Sequence, residues 1–371
     1  MGSKRSVEKM ERIRGRLYDG MAARGITGEL ADDLFLKLSA FASYGFPESH
    51  AMSFAYLVYA SSWLKRYHPA AFCAALLNAQ PMGFYSPQSL VDDARRHGVE
   101  VRRPDINRSD AAATLETTPA TRKKSERGEP PSVWGLGGPA VRMGLSSVRT
   151  LGADLAKTIE DERRAHGPYR DMTDLARRTG CSTAHLEALA TADAFAGFGL
   201  SRREALWAAG AAAQDKPDRL PGTVTGTDAP TLPGMGDVDK LVADVWATGL
   251  SPDAHPAQFL RDQMDSAGAL RIDALGDVVA GTRIKVGGIV THRQRPATAG
   301  GVTFMNLEDE TGMLNVTCSP GLWQKYRRVA RTSAGLIVRG RLEKAEGVLN
   351  LRADHLSVLA LPVRSPSRDF R

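Results

Sequence analysis

The basic side chains of the last quarter are the residues whose types and spacing most plainly invite chemistry. Residues 281–371 hold 15 Lys and Arg against 7 Asp and Glu, a net of +8, whereas residues 1–280 hold 34 against 35. A compact basic module on a near-neutral body suits a polyanion, most simply nucleic acid. Arg283 and Lys285 share one face of an alternating segment, with Ile284 and Val286 on the other. Arg293 and Arg295 follow, and Phe304, Trp323 and Tyr326 are aromatics that either stack on bases or fill a core. A second pattern, Val148-Arg149-Thr150-Leu151-Gly152-Ala153-Asp154, looks like half of a helix–hairpin–helix. Such a hairpin exposes backbone N–H groups at a helix N-terminus, a ready phosphate site. Its usual first glycine is absent, and Thr150 stands near that place; residues 186–198 read as a degenerate second copy.

Other chemistry is scarce, and the residues expected to be catalytic or metal-binding number none. Asp237-Val238-Asp239 has the spacing of a cation-binding pair but opens a helix, where Asp is an ordinary cap. Gly135-Leu136-Gly137-Gly138-Pro139-Ala140 imitates a dinucleotide loop but reads as a turn, because Pro139 interrupts it and no βαβ context surrounds it. There is no nucleophile elbow, P-loop, Cys-x-x-Cys or His-x-x-x-His pair. Cys73, Cys181 and Cys318 are scattered, which fits a reducing cytoplasm rather than a disulfide framework. Apolar runs such as 70–77 fall far short of the ~18 residues a membrane span needs, so no membrane partner is expected. The charged N-terminus is not a secretory signal.

These side chains must be carried by a multidomain α+β chain of 371 residues, 42% hydrophobic and 25% charged, of ordinary globular composition. Residues 1–115 read as mostly helical, with helices at 28–42, 49–67, 69–78 and 87–97. The 49–67 helix carries Met52, Tyr56, Tyr59 and Trp63 on one face and Phe54, Leu57, Val58 and Leu64 on another. A helix apolar nearly all round is expected to be buried between layers. Residues 116–146 read as an exposed loop followed by β segments. A helical hairpin segment follows at 147–213, then a Pro/Gly linker at 214–236 and a helical connector at 237–270. From 271 to 371 the period switches to strands. Three strands, a helix at 323–329 and two more strands give the order of an OB-fold β-barrel, with an Asp309-Glu310-Thr311-Gly312 turn between the second and third.

The order of these parts carries a resemblance. Phe41-Ala42-Ser43-Tyr44-Gly45-Phe46-Pro47-Glu48-Ser49-His50-Ala51, continued by Tyr56, Tyr59, Trp63-Leu64-Lys65 and His68-Pro69-Ala70-Ala71-Phe72, resembles the fingers domain of bacterial C-family DNA polymerases. These are the relatives of the DNA polymerase III alpha subunit. Pro104-Asp105-Ile106-Asn107, the hairpin segment and the OB-like end follow in the family's order. Leu232-Pro233-Gly234-Met235 and Val245-Trp246-Ala247-Thr248-Gly249-Leu250-Ser251-Pro252-Asp253 are most similar to the error-prone branch.

The resemblance implies the C-terminal part of a DNA-directed DNA polymerase, a nucleotidyltransferase, acting in damage tolerance and repair. It implies that Lys4, Arg5, His50 and Lys65 meet the triphosphate of an incoming dNTP. Gly152 and Ala153 would hold duplex backbone, and Arg283, Lys285, Arg293, Arg295 and Phe304 would lie near the template strand. Expected partners are primer–template DNA, single-stranded template, a palm-bearing polymerase portion and an accessory protein for sliding-clamp contact. The last follows because the usual clamp motif is absent from 205–260. Magnesium belongs to the palm of the complete polymerase, so this chain is expected to bind no cofactor and to be inactive alone. The competing expectations are a stand-alone single-strand-binding module and an inactive remnant.

Overall fold

The computed structural model describes residues 6–43, 48–83, 85–117, 128–220, 223, 225–345, 347–361 and 368–370. Lys4, Arg5, the break at 44–47 and most of the polar loop at 117–131 lie outside them. The chain divides into two compact units, Met1–Leu64 and Lys65–Arg371.

In the first unit α1 (Ser6–Ala22) packs on α2 (Glu29–Ser43), and α3 (Glu48–Tyr67) follows. Tyr18 and Phe35 meet at 5.6 Å between ring centroids, the Arg14 guanidinium lies over Phe35, and the Tyr18 hydroxyl donates to Asp32 at 2.7 Å. The expectation of a buried α3 is overturned: Met52, Phe54, Tyr56, Leu57, Val58, Tyr59, Trp63 and Leu64 are all exposed, Tyr59 by 74%. Its apolar residues surround the helix instead of forming one stripe, so burying them would need cover on several sides, which the described residues do not supply.

The second unit begins with α4 (Pro69–Asn78) and α5 (Pro87–Arg96) beside a small sheet of β1 (Val101–Arg102), β2 (Thr114–Glu116) and β3 (Ala140–Arg142). β3 lies in the middle, parallel to β1 and antiparallel to β2. The β-rich reading of 133–145 therefore shrinks to three residues, because Pro131–Val133 forms a 3-10 turn and Gly135 packs against Gly98 and Val99. Next come α6 (Gly152–His166), α7 (Met172–Thr179), α8 (Thr183–Thr191) and α9 (Arg202–Ala212). Their core mixes Ile159, Leu175, Leu186, Leu189 and Phe195 with alanines at 188, 190, 205, 208 and 209, which let the helices approach closely. Ser201 and Glu204 form a capping box at the start of α9, and Asp171 caps α7. Pro104-Asp105-Ile106-Asn107 is a staple. The Asn107 amide brackets the Tyr169 backbone with two 2.8 Å bonds, and Arg163 donates to the Ile106 and Ser109 carbonyls.

The 214–236 segment is strapped down at both ends and is no free tether: Arg177 pairs with buried Asp215 at 2.8 Å, and Arg203 donates to the Pro233 carbonyl. α10 (Asp237–Thr248) follows, with Asp237 and Asp239 exposed in its first turn as caps. Within the connector expected at 237–270, α10 is followed by a 3-10 turn, Pro256–Leu260, leading into α11 (Arg261–Ser266).

The barrel comprises β4 (Arg283–Gln294), β5 (Thr303–Glu308), β6 (Met313–Cys318), α12 (Pro320–Lys325), α13 (Arg327–Thr332), β7 (Gly335–Ala345) and β8 (Val348–Leu359). A short β9 (Arg368–Phe370) adds to β4. The order β5-β6-β8-β7-β4 closes through a β4–β5 pairing. Walking the register from Arg283 through Arg341, Arg352, Thr317 and Phe304 returns to β4 at Gln294, so the strands are strongly staggered, as closure requires. Inward residues alternate to form the core, among them Val286, Met305, Leu314, Val316, Val338 and Leu351. Gly340 is required at the β7 bulge, where any Cβ would strike the Arg352 carbonyl. The Asp309 carboxylate clamps the hairpin by accepting from Thr311 and Gly312 N–H and from Ile272 N–H.

Two buried ionic nodes join these parts. At the first, Asp244 of α10 accepts from Arg103 at 3.0 Å, Arg202 at 2.6 Å and the Ser251 hydroxyl at 2.7 Å. At the second, Glu308 of the barrel pairs with Arg96 of α5 at 3.0 Å and accepts from Ser89, beside Asp92 and His255. Burial and then the neighbouring Glu308 carboxylate push Asp92 up to about 7, and burial raises Glu308 as well. Burial, with Arg96 nearby, pushes His255 down to about 3, so it stays neutral.

Removing Asp244 takes from Arg103 and Arg202 their shared buried carboxylate and leaves them Asp193 and, for Arg103, the exposed Asp253. Asp244→Ala is expected to cost about 3–5 kcal/mol in denaturant unfolding, and a loss under about 1 kcal/mol would count against the node. Asp92 has a folded pKa above its ordinary value, so its contribution to stability is present at low pH and is lost as pH rises through about 7. Asp92→Asn fixes the uncharged form. At about pH 8 it is expected to be more stable than the parent by about 1–3 kcal/mol, with the gain vanishing near about pH 5. A thermal melt series in which the variant loses equally at both pH values would contradict this.

Candidate nucleic-acid interface

The first hairpin is built from a 3-10 turn at Leu145–Ser147, the link Val148–Leu151 and the start of α6. Thr150 has φ +72° and Gly152 φ +67°. Thr150 thus adopts the left-handed backbone that the missing glycine would take without strain. The residue before α6 is Leu151, which supplies no side-chain cap to the first N–H groups of the helix. Gly152 and Ala153 are exposed, and nothing lies within 4 Å of a Cβ built on Gly152. The hairpin is anchored from behind, where the Arg149 N–H donates to the Ala247 carbonyl and its guanidinium lies 5.0 Å from the Trp246 ring centroid. Exposed N–H groups in an unobstructed approach suit a phosphodiester oxygen.

The second hairpin lies between α8 and α9. Asp193 there has φ +65°. Its carboxylate faces Arg103 at 3.6 Å and Arg202 at 3.7 Å, so this turn is tied into the Asp244 node. Burial raises the Asp193 carboxyl above its ordinary value against the pull of those two arginines. An acidic tip held by two arginines is a structural joint and presents no anion site.

On the barrel the expected residues separate. Arg283 is exposed and pairs with Asp354 at 2.8 Å, a carboxylate it shares with Arg339. Lys285 donates to the Ala267 carbonyl at 2.8 Å. Arg293 is the exception: it is only 5% exposed and donates to the Ala330 and Ser333 carbonyls, so it holds α13 against the strand instead of facing solvent. Arg295 is exposed in the β4–β5 loop beside Gly301. Phe304 is exposed on β5, whereas Trp323 and Tyr326 pack against the barrel core.

The register shows a feature that reading strands singly missed. Arg283, Arg341 and Arg352 are direct cross-strand neighbours on β4, β7 and β8, and the same row continues through Thr317 to Phe304. Like charges directly opposite one another destabilise a sheet. Asp354 offsets Arg283, and Glu343 lies 3.4 Å from Arg352, but Arg341 has no ion pair among the described residues. Only the pairing register, which sequence alternation does not give, places these residues in one row.

Of the residues expected around a triphosphate, Lys4 and Arg5 lie outside the described residues, and His50 and Lys65 belong to different units. His50 is exposed on α3, with its ring edge-on to Phe54 at 4.3 Å. Lys65 begins the second unit and pairs with Asp93 at 2.9 Å. The cluster of ligating types among the described residues, Asp92, His255 and Glu308, does not fit magnesium. Its members are buried, and His255 Nδ1 accepts from the Ala257 N–H, which leaves the proton on Nε2, 3.7 Å from Asp92. A ring held in that tautomer offers no free lone pair to an ion at Nε2.

Thr150→Gly is expected to stabilise the chain by about 0.5–1 kcal/mol, since relief of left-handed strain outweighs the flexibility added to the unfolded chain. Affinity for single-stranded DNA should stay within about twofold, because the N–H groups do not move. A thermal melt showing clear destabilisation would refute the strain argument.

A helix-hairpin-helix family model matches residues 98–205, and the model of an OB-fold nucleic acid binding domain matches residues 284–359. The error-prone DNA polymerase of Mycolicibacterium paratuberculosis is 55% identical over 372 residues, covering 100% of this chain and 32% of that protein. The proteins of the same name from Mycobacterium tuberculosis (strain H37Rv) and Nocardia farcinica are each 54% identical, again over 100% of this chain and 32% of theirs. Asparaginyl-tRNA synthetase from Pyrococcus horikoshii aligns over 22% of the chain at 17% identity with a TM-score of 0.19, too slight a likeness to bear on the fold. No helix among the described residues is long and apolar enough to cross a membrane. From end to end, then, the chain is the counterpart of one third of the bacterial error-prone DNA polymerases, and it carries their helix-hairpin-helix and OB-fold nucleic-acid-binding parts.

Proposed function

We propose that this chain is the DNA-holding portion of an error-prone DNA polymerase used in damage tolerance. The first hairpin holds duplex backbone through the N-terminus of α6. The barrel holds the single-stranded template along the row from Arg283 to Phe304, with Arg295 at its edge. Arginines neutralise phosphates along the row while Phe304 offers a ring for stacking. The observation that carries the reading is the in-register Arg283–Arg341–Arg352 row, whose central guanidinium has no ion pair among the described residues and whose mutual repulsion a polyanion would relieve.

The region of α3, with Lys4, Arg5, His50 and Lys65, contributes to binding the incoming dNTP. Phosphoryl transfer itself uses magnesium held by carboxylates in other parts of the polymerase, and the residues described above form no such site. Clamp contact comes through an accessory protein.

The test is fluorescence anisotropy of a labelled single strand against the whole chain across a salt series. Replacing both Arg341 and Arg352 by Ala is expected to reduce the slope of log K against log salt by about 1.4, roughly 0.7 for each lost phosphate contact. An unchanged slope would place the strand elsewhere. Binding that is tight yet independent of any palm-bearing partner in function would favour a stand-alone single-strand-binding module.

A further inference from the structure

A cavity of about 360 Å³ opens beside the first hairpin. Ser146 and Ser147, which line it, belong to the 3-10 turn that leads through Val148 into Thr150 and Gly152. Leu77, Pro87, Met143 and Leu250 supply apolar walls. Among the described residues, no aromatic ring or charged side chain lines it. Two amides do, and they differ. Asn78 is fully committed, donating to the Ala113 carbonyl at 2.9 Å and accepting from the Ala113 N–H at 2.7 Å. Gln80 is half committed: Oε1 accepts from the Met82 N–H at 3.2 Å, which fixes the orientation of the amide, and Nε2 is buried with no hydrogen-bond partner among the described residues. A buried donor without an acceptor is unfavourable and is satisfied by a ligand or a water.

We propose that this cavity receives one unstacked nucleobase of the DNA strand whose backbone the first hairpin holds, with Gln80 Nε2 donating to an acceptor on the base edge. The inference rests on the hairpin reading given above. A base is a flat, uncharged group with acceptors on its rim, which matches apolar walls and one orphan amide donor. Ser146 and Ser147 precede Gly152 by only six and five residues, so the cavity lining and the hairpin's phosphate site belong to one continuous turn of chain. An ionised ligand is disfavoured, because the walls carry no counter-charge.

The experiment uses the whole chain and an oligonucleotide with one 2-aminopurine, scanned along positions, read by both emission and anisotropy. Stacking quenches this base, and a cavity without rings leaves it bright. At one position emission is expected to rise about fivefold on binding. Gln80→Leu and the cavity-filling Ser146→Trp should each abolish most of that rise while weakening binding by no more than about tenfold. Equal emission in the parent and both variants, with binding intact, would overturn the proposal. Ala153→Glu separates this outcome from failure of the hairpin reading. It places a carboxylate at the phosphate position and should abolish the emission rise while the barrel still retains part of the binding read by anisotropy; an unchanged emission rise would remove the hairpin's strand and with it the base. Free 2-aminopurine deoxyriboside is the last arm: Gln80-dependent binding of the nucleoside, without any rise from the strand, would assign the cavity to free nucleosides and overturn the strand as its source.

Discussion

One buried carboxylate governs how the helical body is put together. Asp244 is 3% exposed and is shared by Arg103, which follows β1, and Arg202, which opens α9. A carboxylate taken this far from water is tolerable only because two guanidiniums and the Ser251 hydroxyl meet it. The same arginines reach Asp193 at the tip of the second hairpin, and Arg103 reaches Asp253 at 2.6 Å. Three separate pieces of chain, the small sheet, the hairpin pair and α10, therefore cannot shift independently without leaving a charge unpaired. This explains why the two hairpins, alike in backbone, differ in chemistry. The second is used up in holding the body, which leaves the first, stapled to Ala247 from behind, open to solvent.

The barrel is held by the same kind of interaction at its own turn. Glu308 and Asp309 are adjacent in sequence and point to different partners: Glu308 to Arg96 on α5, Asp309 to Arg261 on α11 and to the Ile272 N–H. A hairpin that would otherwise be an ordinary loop becomes the joint between barrel and body. The cost is two carboxylates, Asp92 and Glu308, in one dry site, and the protein meets it by keeping His255 neutral and pushing Asp92 toward its protonated form.

Much of this was legible in the sequence, for identifiable reasons. The barrel strands alternate with period two, and Gly340, Ser319 and Pro320 punctuate them, so their order was readable. Boundaries were less so. β8 runs to Leu359, and its pairing with β7 shifts register between Arg339 and Gly340, which interrupts the alternation. The 323–329 helix is two short helices broken at Tyr326. α3 misled most, since composition reports that a helix wants cover but not whether the cover is present. Among the site residues, Gly152, Ala153, Arg283, Lys285, Arg295 and Phe304 are exposed. Arg293 is not, because alternation near the β4 bulge at Val290/His292 cannot say which face a residue takes. Arg341 and Arg352 escaped notice because what makes them a site is register across three strands.

The charge distribution follows from these joints. In the body, cations and anions are nearly equal in number, and many meet in buried or half-buried pairs such as Arg202–Asp244 and Arg142–Glu116. Such charges are spent on architecture and cast little field outward. In residues 281–371 the excess of +8 cannot be cancelled in the same way, because the barrel interior is apolar and the acids are few. Arg295, Arg327, Arg328 and Arg341 have no ion pair among the described residues. Their field falls on whatever polyanion approaches, over roughly the 8–10 Å that salt permits. Under the proposed function, a hairpin offering uncharged N–H groups and a barrel offering unneutralised guanidiniums would divide the work of gripping a strand: the first would fix where a phosphate sits, and the second would supply attraction that depends little on sequence.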